Sequence, residues 1–168
     1  MTSTLHWIKG RWAGRLAVSA RPRGGDWLDD EIKGWRASRV HTVISLLMPD
    51  EVDDLGLNEE AAHCKAEGIA FISFPIADRG VPRSREQAQK LLRSLEKALA
   101  AGKSVVIHCR QGLGRSALIA AGLLVLGGTK PEEAFACLSA SRGSSVPETR
   151  EQQKWVEQIA REAAPLVV

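Results

Sequence analysis

The sequence predicts an α/β fold: a central, mostly parallel sheet of about four to five strands flanked by helices. Three observations predict it. Four short aliphatic or β-branched runs are bounded by turn residues, as buried strands are. Between them lie segments with apolar residues at helical spacing, several preceded by good N-capping residues. Strands and helices therefore alternate, which is the pattern of a parallel sheet sandwiched by helices.

The elements follow in chain order. Leu16–Ser19 reads as the first strand. A helix is expected over Asp26–Ala37, with an acidic start and Trp27, Leu28, Ile32 and Trp35 as its apolar positions. Thr42–Leu47 and Ala70–Phe74 read as strands, with an acidic loop holding Asp50, Asp53 and Asp54 between them. Ser84 with Gln87 forms a capping box, followed by Ala88, Leu91, Leu92, Leu95, Ala98 and Leu99 at helical spacing and a stop at Gly102. Val105–Ile107 is the fourth strand, and Arg115–Leu126 is apolar almost all round, as a buried helix is. Thr129 with Glu132 predicts a helix running to about Ser141. Thr149 with Gln152 predicts a last one through Trp155, Val156 and Ile159.

Composition bounds the function classes. At 168 residues with no repeat, linker or low-complexity segment, the chain reads as one domain over residues 1–168. Hydrophobic residues make up 44% and charged residues 26%, which is globular. A net charge of +3 is too small for a nucleic-acid coat. Five Trp, three Phe and no Tyr argue against a stacking platform for single strands, so no nucleic-acid partner is expected. Cys64, Cys109 and Cys137 form no C-x-x-C pair, which points to a reducing compartment rather than a disulfide or zinc framework. Met1–Gly14 has no apolar run of signal-peptide length, and Ala117–Leu126 is too short to span a bilayer. A cytoplasmic protein without membrane insertion is expected.

The chemistry concentrates in the turn after the Val105–Ile107 strand, His108-Cys109-Arg110-Gln111-Gly112-Leu113-Gly114-Arg115-Ser116. A short glycine-containing loop entering a helix turns several backbone N–H groups toward one point and makes an anion nest. Arg110, Gln111, Gly112, Leu113, Gly114 and Arg115 are the candidate phosphate-binding residues, with Arg115 adding a planar fork suited to two oxygens. Cys109 lies at the floor of that nest, where N–H dipoles and Arg115 favour its thiolate. A thiolate aimed at a bound phosphate is a nucleophile for covalent phosphoryl transfer. Ser116 is placed to donate a hydrogen bond to it. Read from the residues alone, the general acid remains open between Asp78, in a Gly/Pro-containing loop after a strand, and Asp50, Asp53 or Asp54.

His108-Cys109-x-x-Gly112-x-x-Arg115-Ser116 resembles the phosphate-binding loop of the cysteine-dependent protein phosphatases, the tyrosine and dual-specificity enzymes. Gly112-Leu113-Gly114-Arg115-Ser116 most resembles the kinase-associated phosphatase branch. Phe74-Pro75-Ile76-Ala77-Asp78-Arg79-Gly80-Val81-Pro82 is similar to its general-acid loop. The resemblance implies that Cys109 forms a phosphocysteine. It implies that Asp78 protonates the leaving oxygen and then activates water, and that His108 orients the loop. It also implies that no metal or organic cofactor is used. Some relatives position the hydrolytic water with Gln-Thr-x-x-Gln; Gln152 matches the second glutamine, while Glu148 departs from the first. Cys64 is a candidate redox partner of Cys109, as some relatives have.

The expected substrate is a phosphorylated protein, in a pocket too shallow to demand phosphotyrosine alone. A phosphoinositide or other small phosphoester is the alternative. A phosphate-dependent binding module ranks lower, because Cys109, Arg115 and Asp78 are all present, and sulfur transfer or arsenate reduction ranks last. The basic run Arg21-Pro22-Arg23-Gly24-Gly25 reads either as a substrate contact or, more simply, as a turn before the first helix.

Overall fold

Alternation of side chains along buried strands builds the core on two sides of one sheet. The computed structural model describes residues 3–163; the ends of the predicted domain, 1–2 and 164–168, lie outside them. The strands are β1 (His6–Ile8), β2 (Arg15–Ala20), β3 (Thr42–Ser45), β4 (Ala70–Ser73) and β5 (Ser104–Cys109). Their order is β1-β2-β5-β3-β4, with β1 antiparallel to β2 and every other pair parallel. The mostly parallel α/β sheet expected from the sequence is thus observed.

Leu16, Val18, Ile44, Val105, Ile107 and Cys109 join one apolar cluster, while Ala17, Val43 and Val106 join the other. The second cluster is closed by α1 (Leu28–Ala37) and α3 (Glu60–Ala66), through Leu28, Ile32, Trp35 and Cys64. The first is closed by α4 (Arg85–Ala100), α5 (Gly114–Leu126), α6 (Pro131–Arg142) and α7 (Arg150–Ala163). Helix α5 is buried from Gly114 to Val125, which explains its lack of a polar face. Its position in that layer fixes the loop that leads into it.

Some local expectations are corrected. The acidic segment read as a loop contains α2 (Pro49–Asp54), and α3 was not predicted; with six and seven residues, neither has enough turns to display periodicity. Strand β1 has three residues and was also missed. The helix expected from Asp26 begins as a 3-10 turn over Gly25–Trp27 before α1. Thr129 does not cap α6: its N–H is drawn to Leu124 O of α5 at 3.1 Å, and Lys130 takes the cap position ahead of Pro131. The other two caps hold, with Gln87 N–H donating to Ser84 Oγ and Gln152 N–H to Thr149 Oγ1, each at 3.1 Å.

Leu16 of β2, paired between Ile8 of β1 and Val105 of β5, has no exposed surface. Leu16→Ala is expected to cost about 2–5 kcal/mol, read as a lowered urea midpoint at unchanged slope.

Candidate active site

Strands β2, β3 and β5 end side by side, and the loops after them meet where ligands bind in parallel α/β sheets. Cys109 ends β5 opposite Ala20 of β2. It is 3% exposed, and its Sγ lies 3.3 Å from Ser116 Oγ. The chain then turns through Gly112, whose φ of +71° suits glycine. A Cβ at Gly112 would come within 2.5 Å of the Ser19 carbonyl carbon. The loop is therefore wedged against β2 and needs a bare Cα there.

Above Cys109 is a cavity of about 130 Å³. Arg110, Gln111, Leu113, Gly114 and Arg115 line it from the loop, and Asp78 and Arg79 from the predicted acid loop. Glu148 closes the remaining side. His108 and Ser116 are fully buried and stand behind this lining rather than in it. Gln152 does not reach the cavity. It is fully buried, its amide nitrogen donates to Gly80 O at 3.2 Å, and its amide oxygen accepts from Glu148 N–H at 3.1 Å. The glutamine implied to position water is thus consumed in tying the Asp78 loop to the start of α7, and the group that lines the cavity from this segment is Glu148.

The buried Arg115 guanidinium is held by four oxygens. Glu51 takes it in a two-point pair, Nη1 to Oε1 at 2.6 Å and Nη2 to Oε2 at 2.9 Å. Nη1 also donates to Ile76 O at 3.0 Å, and Nη2 lies 3.7 Å from Asp78 Oδ1. Burial works against the charge on Arg115, but the Glu51 hydrogen bonds and the proximity of Cys109 and Asp78 hold its pKa above the ordinary value. The Arg115 hydrogen bonds in turn hold the Glu51 carboxyl below the usual range, against the opposing effect of burial. Arg110 is half exposed, with its guanidinium 3.8 Å from Glu51.

The loop is gripped from outside as well. Arg142, at the end of α6, donates from Nε to Gly112 O at 2.7 Å and from Nη2 to Gln111 O at 3.0 Å, and its Nη1 meets His6 Nε2 of β1. Two successive carbonyls of the loop are thereby turned to Arg142, which does not line the cavity. On the opposite rim, Arg79 adopts a left-handed φ of 62° and its guanidinium lies 3.8 Å from Glu148.

The model of a family described as "Polymorphic toxin system, DSP-PTPase phosphatase" matches residues 18–129. The chain belongs to that family. Human cyclin-dependent kinase inhibitor 3 is 36% identical over 94 residues, which are 55% of this chain and 44% of that protein. The putative tyrosine phosphatase 067L of Invertebrate iridescent virus 3 is 36% identical over 59 residues, 33% of this chain and 25% of that protein. The chain thus spans less than half the length of the curated relatives it matches. Among solved structures, Tk-PTP in its active form superposes with a TM-score of 0.76 at 26% identity, over 94% of this chain and 96% of that one. A kinase associated phosphatase with its catalytic-site cysteine replaced by serine superposes with a TM-score of 0.89 at 21% identity, over 99% of both chains, a likeness of fold. The DSP-PTPase family acts on phosphorylated substrates. Among the described residues no helix is long and apolar enough to cross a membrane.

Several residues at this DSP-PTPase site escaped the sequence reading. Glu51 lay among four acidic residues in a predicted loop. Helix α2 buries Glu51 and leaves Asp50, Asp53 and Asp54 exposed, so the acidic segment supplies the counter-ion of Arg115 from the residue not considered. Arg142 gave no local signal, because its partners are 30 and 31 residues away. The run Arg21–Gly25 does pass beside the loop, with Arg21 N–H donating to Arg110 O at 3.3 Å, but Arg23 is committed to Glu31 at 2.7 Å and stacks on Trp27. Cys64 belongs to the cluster on the far face of the sheet from Cys109 and forms no disulfide. Burial there pushes its thiol up to about 12.

Glu51 supports a pH prediction. Its carboxyl is shifted below the ordinary value of 4.5, so its contribution to stability is complete above that pH and lost as pH falls through the lowered value. Glu51→Gln leaves a buried guanidinium half-paired and is expected to cost about 3–5 kcal/mol at pH 6. In urea titrations the gap between wild type and variant should shrink steadily below pH 4.5.

Proposed function

We propose that this chain is a cysteine-dependent phosphatase that hydrolyses phosphomonoesters on proteins, of the tyrosine or dual-specificity kind, and that residues 1–168 act as one such domain. The observation that carries this is the shared cavity: Cys109 Sγ at its floor, the Arg115 fork at its wall and Asp78 at its mouth, with side-chain exposures of 2% for Arg115 and 70% for Asp78. A volume of about 130 Å³ suits one phosphoryl group. The names of the curated relatives, a cyclin-dependent kinase inhibitor and a putative tyrosine phosphatase, support a protein substrate. Three unpaired cysteines support the cytoplasm as the compartment.

In the proposed reaction the phosphate oxygens are held by Arg115 and by the N–H groups of residues 110–115. The Cys109 thiolate attacks phosphorus while the P–O bond to the leaving group breaks. Asp78 gives its proton to the departing oxygen, leaving a phosphocysteine. Water then attacks phosphorus, passes a proton to Asp78, and the S–P bond breaks to release phosphate. Ser116 Oγ, 3.3 Å from Sγ, donates a hydrogen bond that stabilises the returning thiolate. His108 holds the strand end that carries Cys109. No step requires a metal or an organic cofactor.

The test is hydrolysis of para-nitrophenyl phosphate in EDTA. Wild type is expected to be active and vanadate-sensitive, Cys109→Ser silent, and Asp78→Asn slower by about 100-fold or more. Inactive wild type that still binds vanadate would reduce the site to a phosphate receptor and end the enzymatic reading.

A further inference from the structure

A buried carboxylate stands behind the nucleophile, on the other side of the sheet. Glu60 opens α3, and its Oε1 lies 2.6 Å from His108 Nε2. The two side chains are 2% and 0% exposed. The Trp35 ring is 6.0 Å from the imidazole, and His108 Nδ1 has no hydrogen-bond partner among the described residues. His108 is thus anchored at one atom, Nε2. We infer that Glu60 is a positioning residue that acts on Cys109 through His108. The inference rests on the phosphatase reading only for its consequence in turnover.

The physical case begins with cost. Removing a carboxylate from water is expensive unless a close, charge-assisted partner compensates it. A leucine at this place in an apolar layer would close the same core without that penalty, so the pair has a use beyond packing. At 2.6 Å, Nε2 and Oε1 are within hydrogen-bond distance, with the ring N–H donating to the carboxylate oxygen. That bond fixes the ring, and the ring is the side chain of the residue immediately before Cys109.

Neighbouring residues of a strand project to opposite faces. Any rotation of His108 about the β5 axis therefore swings Cys109 Sγ the other way, out of line with the cavity. The backbone holds this strand end on both sides, through pairing of His108 and Cys109 with β2 and through His108 O, which accepts from Leu46 N–H at 3.0 Å, but it does not fix the direction of the His108 side chain. Glu60 supplies that side-chain restraint from 48 residues away.

The experiment uses the full-length protein without substrate. Cys109 is alkylated with iodoacetamide, the adduct is located by mass spectrometry, and thermal melts are recorded in parallel. Glu60→Leu is expected to melt lower and to slow alkylation of Cys109 by about tenfold. Glu60→Gln retains an oxygen that accepts from Nε2 and is expected to restore the rate to within about threefold of wild type. Glu60→Leu/His108→Leu removes both polar groups together, so its melting temperature should return toward wild type while alkylation stays slow.

A pair that serves stability alone would give the opposite: both melting temperature and Cys109 reactivity recover in the double variant. That result overturns the inference, as does a Glu60→Gln protein that reacts as slowly as Glu60→Leu. If Glu60→Leu fails to fold, Glu60→Gln and the double variant still decide. Because alkylation needs no substrate, its outcome is independent of whether wild type hydrolyses para-nitrophenyl phosphate. Where wild type does hydrolyse it, the double variant should lose kcat with KM nearly unchanged.

Discussion

The site depends on one buried ion pair, the two-point contact between Arg115 and Glu51. A guanidinium that is 2% exposed has few ways to remain charged and pointed into a cavity. Glu51 provides both: it compensates the charge and takes the two nitrogens in a planar fork that leaves little rotational freedom. Met48 N–H, donating to Glu51 Oε1 at 3.1 Å, holds the carboxylate at the start of α2. Ile76 O fixes the same guanidinium to the segment that carries Asp78, so the loop after β5, the β3–α2 turn and the Asp78 loop share one anchor.

Around that anchor the loop is held at several independent points. Arg142 takes two of its carbonyls, Gly112 presses on β2, and Glu60 reaches His108 from the second face of the sheet. These contacts come from α6, β2 and α3, elements far apart in the chain. A loop tied in this way is ordered before any ligand arrives, and preorganised donors are what make an anion site effective. The Asp78 loop has its own ties, through Gly80 to Gln152 and Arg79 to Glu148.

The centre of the site was legible in the sequence because its signals are local. Cys109, the glycines, Arg115 and Ser116 lie within eight residues between a β-branched strand and an apolar helix, an order that predicts a tight loop at a helix start, and the fold gathers Cys109, Gly114 and Arg115 around one cavity. The long elements β2, β5, α4 and α5 were legible for the same reason. What was not legible came from short helices and distant pairings. Glu51 and Glu60 sit in α2 and α3, each of two turns or fewer, where no apolar period can distinguish a buried acid from an exposed one. Gln152 has a sequence context consistent with two roles, capping and water positioning; its N–H takes the Thr149 cap, and the fold spends both ends of its amide on backbone groups.

The packing of Glu148 on Gly114 links two positions that look unrelated. A Cβ at 114 would come within 1.6 Å of Glu148 Oε1. The obstructing atom is the tip of a flexible side chain, so the fold would yield and the carboxylate would swing away. The helical backbone of Gly114 accepts any side chain, so its glycine is a choice about the neighbour rather than about the turn. A single methyl group at residue 114 would therefore move the Glu148 carboxylate off the cavity wall without altering any charged residue.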